Sequence, residues 1–189
     1  DARRGTMSLR GELELAGDWP LQAVAQIELA EPLPPLSMLG QQLELTATGN
    51  LHALALQAAL PGAVALTLDG AIDVLDATLP FNASLRATSA TDLPLSEVEA
   101  IPEDLAEALL RFPIVAAFHG TREVQHFSVE LGASGYGYDD LQLAAQGEHR
   151  QGTVVIDQMR ITDAAGTELL AGKGEVSLAE STRWSLAVE

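Results

Sequence analysis

The sequence predicts a mostly β protein, an elongated antiparallel sheet with one short helix near its middle. Three observations carry this. Apolar and polar residues alternate with a period of two along almost the whole chain, which is how a strand separates its two faces. Turn residues (Gly-Asp, Asn, Pro-Gly, Asp-Gly, Arg-Gln-Gly) divide the alternation at intervals of roughly 8 to 12 residues, the spacing of all-β architectures. One unit also occurs twice: Gly11 to Leu21 reads GELELAGDWPL and Gly174 to Leu186 reads GEVSLAESTRWSL. Trp19 and Trp184, the two tryptophans of the chain, hold the same place in both units. A reused strand-turn-strand module points to an extended array whose function lies in a continuous surface.

The first strand sets Met7, Leu9, Leu13 and Leu15 on one parity against Ser8, Arg10, Glu12 and Glu14 on the other. The second sets Leu21, Ala23, Ala25, Ile27 and Leu29 against Gln22, Gln26 and Glu28. Leu45 to Leu68 contains no charged residue, and a membrane-spanning helix needs about 20 apolar residues. Gly49, Asn50, His52, Gln57 and the pair Pro61-Gly62 instead cut this run into three short strands. Their apolar rows are Leu43, Leu45 and Ala47, then Leu54, Leu56 and Ala58, then Val64, Leu66 and Leu68. A further strand is expected from Leu75 through Ala77, Leu79, Phe81 and Ala83 to Leu85.

Val98, Ile101, Leu105, Ala108, Leu109 and Phe112 break the pattern, because they are spaced by three and four. Pro102 suits the first turn of a helix, Glu103 and Asp104 complement its positive end, and Pro113 stops it. A helix is therefore expected over residues 102 to 111. The chain then divides into a strand array (1–95), a helical interruption (96–112) and a second strand array (113–189). The second array carries Ile114, Ala116 and Phe118, then Phe127, Val129 and Leu131, then Leu141, Leu143 and Ala145. Val154 to Ile161 and Glu168 to Ala171 add two more strands before the final repeat unit.

Composition excludes several classes of function. The 189 residues suffice for one large β domain or two small ones. A net charge of -17 repels phosphate backbones and anionic bilayer surfaces, so no nucleic-acid partner is expected. The absence of cysteine removes disulfides and thiolate chemistry. The start, DARRGTMSLR, lacks the apolar core of a signal peptide, and the chain reads as a fragment of a longer protein.

Catalytic patterns fail residue by residue. Gly166 to Gly174 (GTELLAGKG) misses the phosphate-loop spacing and has Gly174 where Ser or Thr is required, so it reads as a hairpin between strands. Gly132 to Gly137 (GASGYG) is neither a nucleophile elbow nor a dinucleotide fingerprint. His52, His119, His126 and His149 form no zinc-site pair on a helix, though His119 and His126 sit in adjacent strands and can approach across a hairpin. Asp69, Asp73 and Asp76 lack the spacing of a calcium loop. The expectation is no enzyme, no cofactor and no metal.

The apolar parity has two readings. The residues fill the core of a two-sheet sandwich, or they line an open greasy trough on the order of 60 Å long, from a dozen strands about 4.8 Å apart. Periodicity alone favours the packed core. A trough would suit acyl chains, since burial is worth roughly 0.8 kcal/mol per methylene.

The carboxy-terminal run from Val154 to Glu189 resembles the repeat of the TamB family, AsmA-like proteins of the Gram-negative envelope. In that family a leucine-rich strand is followed by a turn, a Gly-x-Val/Leu strand and then Trp-x-Leu. Gly174, Val176, Leu178, Trp184 and Leu186 match this pattern, and Gly11, Leu13, Leu15, Trp19 and Leu21 match it again near the start. The resemblance implies a β-taco-like fold, a curved antiparallel sheet with a hydrophobic interior. It implies a periplasmic segment of a protein anchored in the inner membrane, carrying phospholipid acyl chains toward the outer membrane and supporting outer-membrane biogenesis. It also implies a TamA-like outer-membrane partner within a translocation and assembly module, which makes a scaffold for outer-membrane proteins, acting by β-strand augmentation, the alternative. The inner wall expected on this basis is Leu13, Leu15, Leu21, Ile27, Leu43, Leu45, Leu79, Phe81, Phe127, Val129, Leu141, Leu143, Val176, Leu178 and Leu186. Trp19 and Trp184 are expected at a groove rim or in packing.

Overall fold

The computed structural model describes residues 5–15, 17–29, 39–97, 108–135, 137–177 and 183–188. Thirteen strands among them form a single sheet. The first six are β1 (Gly5–Leu13), β2 (Pro20–Leu29), β3 (Gln42–Asn50), β4 (Ala53–Leu60), β5 (Val64–Ile72) and β6 (Phe81–Ser89). A two-residue β7 (Leu93–Pro94) and a single 3-10 turn (Leu95–Glu97) follow. The rest are β8 (Leu109–Gly120), β9 (Val124–Gly135), β10 (Tyr138–Arg150), β11 (Thr153–Thr162), β12 (Glu168–Ser177) and β13 (Arg183–Val188).

Twelve strands lie side by side in chain order, each antiparallel to the next, while β7 pairs only with the start of β8. Such a meander follows from short turns, because strands joined by a few residues pair with each other first. The turns are built from the residues that favour them. Asn50 Oδ1 accepts from the amides of His52 and Ala53 at 3.0 and 2.9 Å and closes the β3–β4 hairpin. Gln151 and Gly152 both have positive φ (50° and 78°), the backbone of the two-residue turn that matches strand twist. Asp163 Oδ1 caps the amides of Ala165 and Thr167 between β11 and β12. GTELLAGKG thus contributes the end of that turn and most of one strand, β12, where the sequence suggested a hairpin of its own.

Two expectations are corrected. The strand expected from Leu75 begins only at Phe81. Asp73 Oδ1 accepts from the amides of Leu75 and Asp76, and Asp76 Oδ1 accepts from the amide and hydroxyl of Thr78. These local side-chain bonds hold residues 73–80 in a wide turn despite their alternation, and Leu79 sits there at φ 50°. Of the helix expected over 102–111, residues 102–107 lie outside the described residues, and Leu109 to Arg111 open β8. Pairing of Leu110 with both Leu93 and Ala133 overrides the local three-four spacing there. β6 and β8 pair directly, so the strands before and after this interval belong to one sheet.

Bulges bend the sheet. β11 spends one residue more than its partners between Ile156 and Met159, on the β10 side and the β12 side alike. β8 spends two more than β9 between Arg111 and Val115, around Pro113, which has no amide to give the ladder.

The described strands form a single layer. Substantial strand–strand contacts run only between sheet neighbours. The accessible surface is 12480 Å², against about 8,700 Å² expected for a compact monomer of this mass. Among the described residues no large side chain is fully buried and no polar one is buried at all. One packed cluster exists, at one rim, where Leu39 bridges to Val64 and packs with Leu60 and Ala87 against Phe112 and Ile114.

Candidate functional site

The register turns the alternation of single strands into rows that cross the whole sheet. One row runs Leu9, Ala25, Leu45, Ala58, Leu68, Leu85, Ala116, Val129, Ala145, Met159, Gly172 and Val188, each paired with the next. Its neighbour runs Gly11, Ala23, Ala47, Leu56, Gly70, Ala83, Phe118, Phe127, Gly147, Ile156, Gly174 and Leu186. Neither contains a polar residue. The bulge in β11 keeps this so, because one inserted residue puts Ile156 and Met159 on the same face although their separation is odd. Gly147 sits opposite the β11 bulge. A Cβ there would meet the Val155 carbonyl oxygen at 1.9 Å, so a side chain is excluded by contact.

The other face is polar. Arg10, Val24, Thr46, Gln57, Asp69 and Ser84 form one of its rows, and cross-strand bonds such as Gln57 Nε2 to Asp69 at 3.0 Å tie it together. His119 and His126 stack there with ring centroids 5.1 Å apart, and the described residues hold no cluster able to ligate a metal. In the wide turn after β5, burial by itself would raise the Asp73 carboxyl. The amides of Leu75 and Asp76 and the His52 ring outweigh it, and the group titrates below its ordinary value. Asp76 is lowered too, chiefly by the Thr78 hydroxyl and amide.

The apolar face has depth. Ala25, Leu54 and Ala116 are each 7% exposed with no second layer among the described residues over them, and the side chains beside them and the concavity of the sheet screen them. Between β1 and β5 this surface forms a hollow of about 370 Å³ lined by Leu9, Ala25, Leu45, Leu56, Ala58 and Leu68 among others.

Of the residues expected along an inner wall, Leu13, Leu21, Ile27, Leu43, Leu45, Phe81, Phe127, Val129, Leu141, Leu143, Val176 and Leu186 hold register positions on this one face. Leu15 lies past the end of β1 and is 73% exposed, and Leu79 lies in the 73–80 turn. Leu178 is outside the described residues. Trp19 precedes β2 at φ 57°, at a rim, and position 184 pairs with Val176.

Sequence reading missed an interruption. A third row runs Leu13, Leu21, Gly49, Leu54, Ile72, Phe81 and Gly120, and then reaches Gln125 and His149 before Val154 and Val176. The Gln125 carboxamide oxygen and His149 Nδ1 are hydrogen-bonded to each other. The signal was available in the strand parity: Gln125 shares its face with Phe127 and Val129, and His149 with Leu143 and Ala145.

The described strands make a one-layer antiparallel sheet, polar on one side and uninterruptedly apolar along two rows of the other, the form of an elongated β protein. The chain matches the family model of the TamB N-terminal domain over residues 1–189, and it belongs to the TamB family. Membership places it in Gram-negative envelope and outer-membrane biogenesis, where members of the family work with an outer-membrane partner. No curated protein and no solved structure matches the chain. No helix among the described residues is long and apolar enough to cross a membrane.

Proposed function

We propose that this chain carries phospholipid acyl chains along its apolar face, as one segment of a periplasm-spanning protein anchored in the inner membrane. The observation that supports this best is the pair of apolar rows crossing twelve consecutive strands of the sheet, with no second layer among the described residues over them. A surface of this extent in water calls for an occupant. A sixteen-carbon chain fully withdrawn from water gains roughly 12 kcal/mol, and a chain laid against one wall gains about half of that. Aliphatic walls offer no directional bond, so the chain is held but free to slide, as transport between membranes requires. The polar outer face and net charge of -17 keep the segment off anionic bilayer surfaces.

The test is direct. The purified chain is extracted and phospholipid is measured by mass spectrometry, for the parent and for Leu45→Arg and Leu143→Arg. Lipid is expected with the parent and absent from both variants, with β-sheet circular dichroism retained. Lipid capture that survives both inward charges sinks the proposal.

A second reading rests on the sheet edge. Among the described residues β1 pairs only with β2, so its outer side offers amides and carbonyls to a client strand or to a TamA-like partner. It predicts capture of an extended peptide that fails when the edge is blocked by Leu9→Pro and is indifferent to Leu143→Arg.

A further inference from the structure

Along the three rows of the apolar face, polar side chains occur at one place, the neighbouring pair Gln125 and His149. Both share the side of Phe127, Val129, Leu143 and Ala145, and both are half-buried. Their hydrogen bonds fix which atoms the pair presents. The Gln125 side-chain amide donates to the carbonyls of Thr121 and Arg122 at 2.9 and 2.8 Å. Those bonds use both of its N–H groups and leave the carboxamide oxygen, which can only accept, facing His149 Nδ1. His149 Nδ1 therefore carries the ring proton, and the neutral imidazole has a bare lone pair on Nε2, at the outer end of the ring. Nothing among the described residues donates to that nitrogen. Gln125 ties the β8–β9 turn by itself, so the turn does not need the imidazole, and an aliphatic residue would have continued the row toward Val154.

Beside the pair lies a hollow of about 570 Å³ between the β8–β9 and β10–β11 turns. Its charges are balanced. Arg122 adjoins Glu123 in one turn, and Arg150 faces Glu148 at 3.7 Å on the polar side of the sheet. Selection there falls to hydrogen bonding, not to net charge. On the next row inward sit Phe127 and Gly147, and beyond them Val129 and Ala145. An acceptor at the rim, with apolar rows leading away from it, fits a lipid whose polar end carries a hydrogen-bond donor.

We propose that His149 Nε2 accepts a hydrogen bond from the ammonium or hydroxyl of a lipid head group while the acyl chains lie on the rows inward. The proposal rests on the acyl-chain reading above and adds a fixed station with a chemical preference to a surface that otherwise lets lipid slide. Gln125 is a positioning residue, because its oxygen holds the imidazole in the tautomer that leaves Nε2 free. Apolar surroundings strengthen such a bond and make a head group without a donor leave the nitrogen unpaired.

The experiment measures affinity of the 189-residue chain for two matched pairs of lipids in neutral detergent, at a mildly alkaline pH that keeps imidazole neutral. Phosphatidylethanolamine and phosphatidylcholine are both zwitterionic, and only the first has N–H donors. Diacylglycerol and its methyl ether are both uncharged, and only the first has an O–H. The parent is expected to prefer the donor-bearing member of at least one pair about fivefold, and the pair that shows it identifies the donor. His149→Phe is expected to abolish the preference while still taking up phosphatidylcholine and the methyl ether. Gln125→Met is expected to reduce the preference with His149 in place. Equal affinity within both pairs for the parent, or a preference that His149→Phe retains, overturns the station while the acyl-chain reading stands. If the parent takes up none of the four lipids, the acyl-chain reading itself has failed, and the station with it.

Discussion

Leu60 and Leu9 point from the same side of one sheet, yet Leu60 is 7% exposed and Leu9 is 65% exposed. Part of the difference is that, among the described residues, β1 has a strand on one side only. Leu45, Leu56 and Leu68 nevertheless remain only half-buried, although their strands have partners on both sides. What separates the two regions is cover. Around Leu60 the chain brings Leu39 in beside Val64 through a parallel bridge and gains a small packed cluster with Ala87 and Phe112. Around Leu45 no described residue plays that part. The same residue types thus serve packing at one rim and remain available in the middle, so an open face is not a failure to build a core.

The comparison breaks most readily at the covered patch. Leu60→Ala removes atoms from the one packed cluster and is expected to cost about 2–3 kcal/mol, a fall in Tm of roughly 5–10 °C for a chain of this length. Thermal unfolding followed by circular dichroism checks it. Gly147→Ala tests the bulge that holds the rows in line. Its Cβ must displace the Val155 carbonyl, and a loss of about 1–3 kcal/mol is expected, with acyl capture falling as the two halves of the rows lose register. Leu9→Ala deletes the same atoms as Leu60→Ala but from the open region. It is expected to cost less than about 0.5 kcal/mol while still lowering lipid capture. If Leu9→Ala and Leu60→Ala destabilise equally, the two regions are not different in kind.

The smallest effect is on acidification. Asp73 and Asp76 titrate below their ordinary value in the folded chain. Their contribution is fully present above the unfolded carboxylate value of about 3.9 and is lost as pH falls through the lower folded values. The β5–β6 turn is therefore expected to loosen only in strong acid, ahead of the apolar rows, and amide exchange at Leu75, Asp76 and Thr78 reports it. Loosening of this turn already near pH 5 would contradict the assignment of those hydrogen bonds.

Most of the sheet was legible because a strand with one uncovered face writes its period directly into the sequence. The charge-free run from Leu45 to Leu68 resolved into β3, β4 and β5 on the strength of Asn50 and Pro61-Gly62. The repeat was informative in a further way. Its two copies fall at opposite ends of the sheet, across β1–β2 and β12–β13. What alternation concealed was of two kinds. Local side-chain capping by Asp73 and Asp76 turned an apparent strand into a turn, and short-range polar bonds of that sort leave the hydrophobic pattern untouched. Long-range events left no periodic trace either: Leu39 reaching Val64, and Leu110 drawn into β8 by its neighbours. For the candidate face, membership of a row was readable from parity in each strand. Continuity of the rows was not, because it depends on inter-strand register and on bulges at Asp157 and around Pro113.

The central claim is that one face meets lipid and the other does not, residue by residue. A photoreactive amino acid placed in turn at Leu45, Thr46, Ala47, Val129 and Glu130 tests it most directly, with phospholipid adducts read by mass spectrometry. Adducts are predicted at Leu45, Ala47 and Val129 and not at Thr46 or Glu130. Adducts spread evenly over both parities, or none on the aliphatic side, would contradict the account.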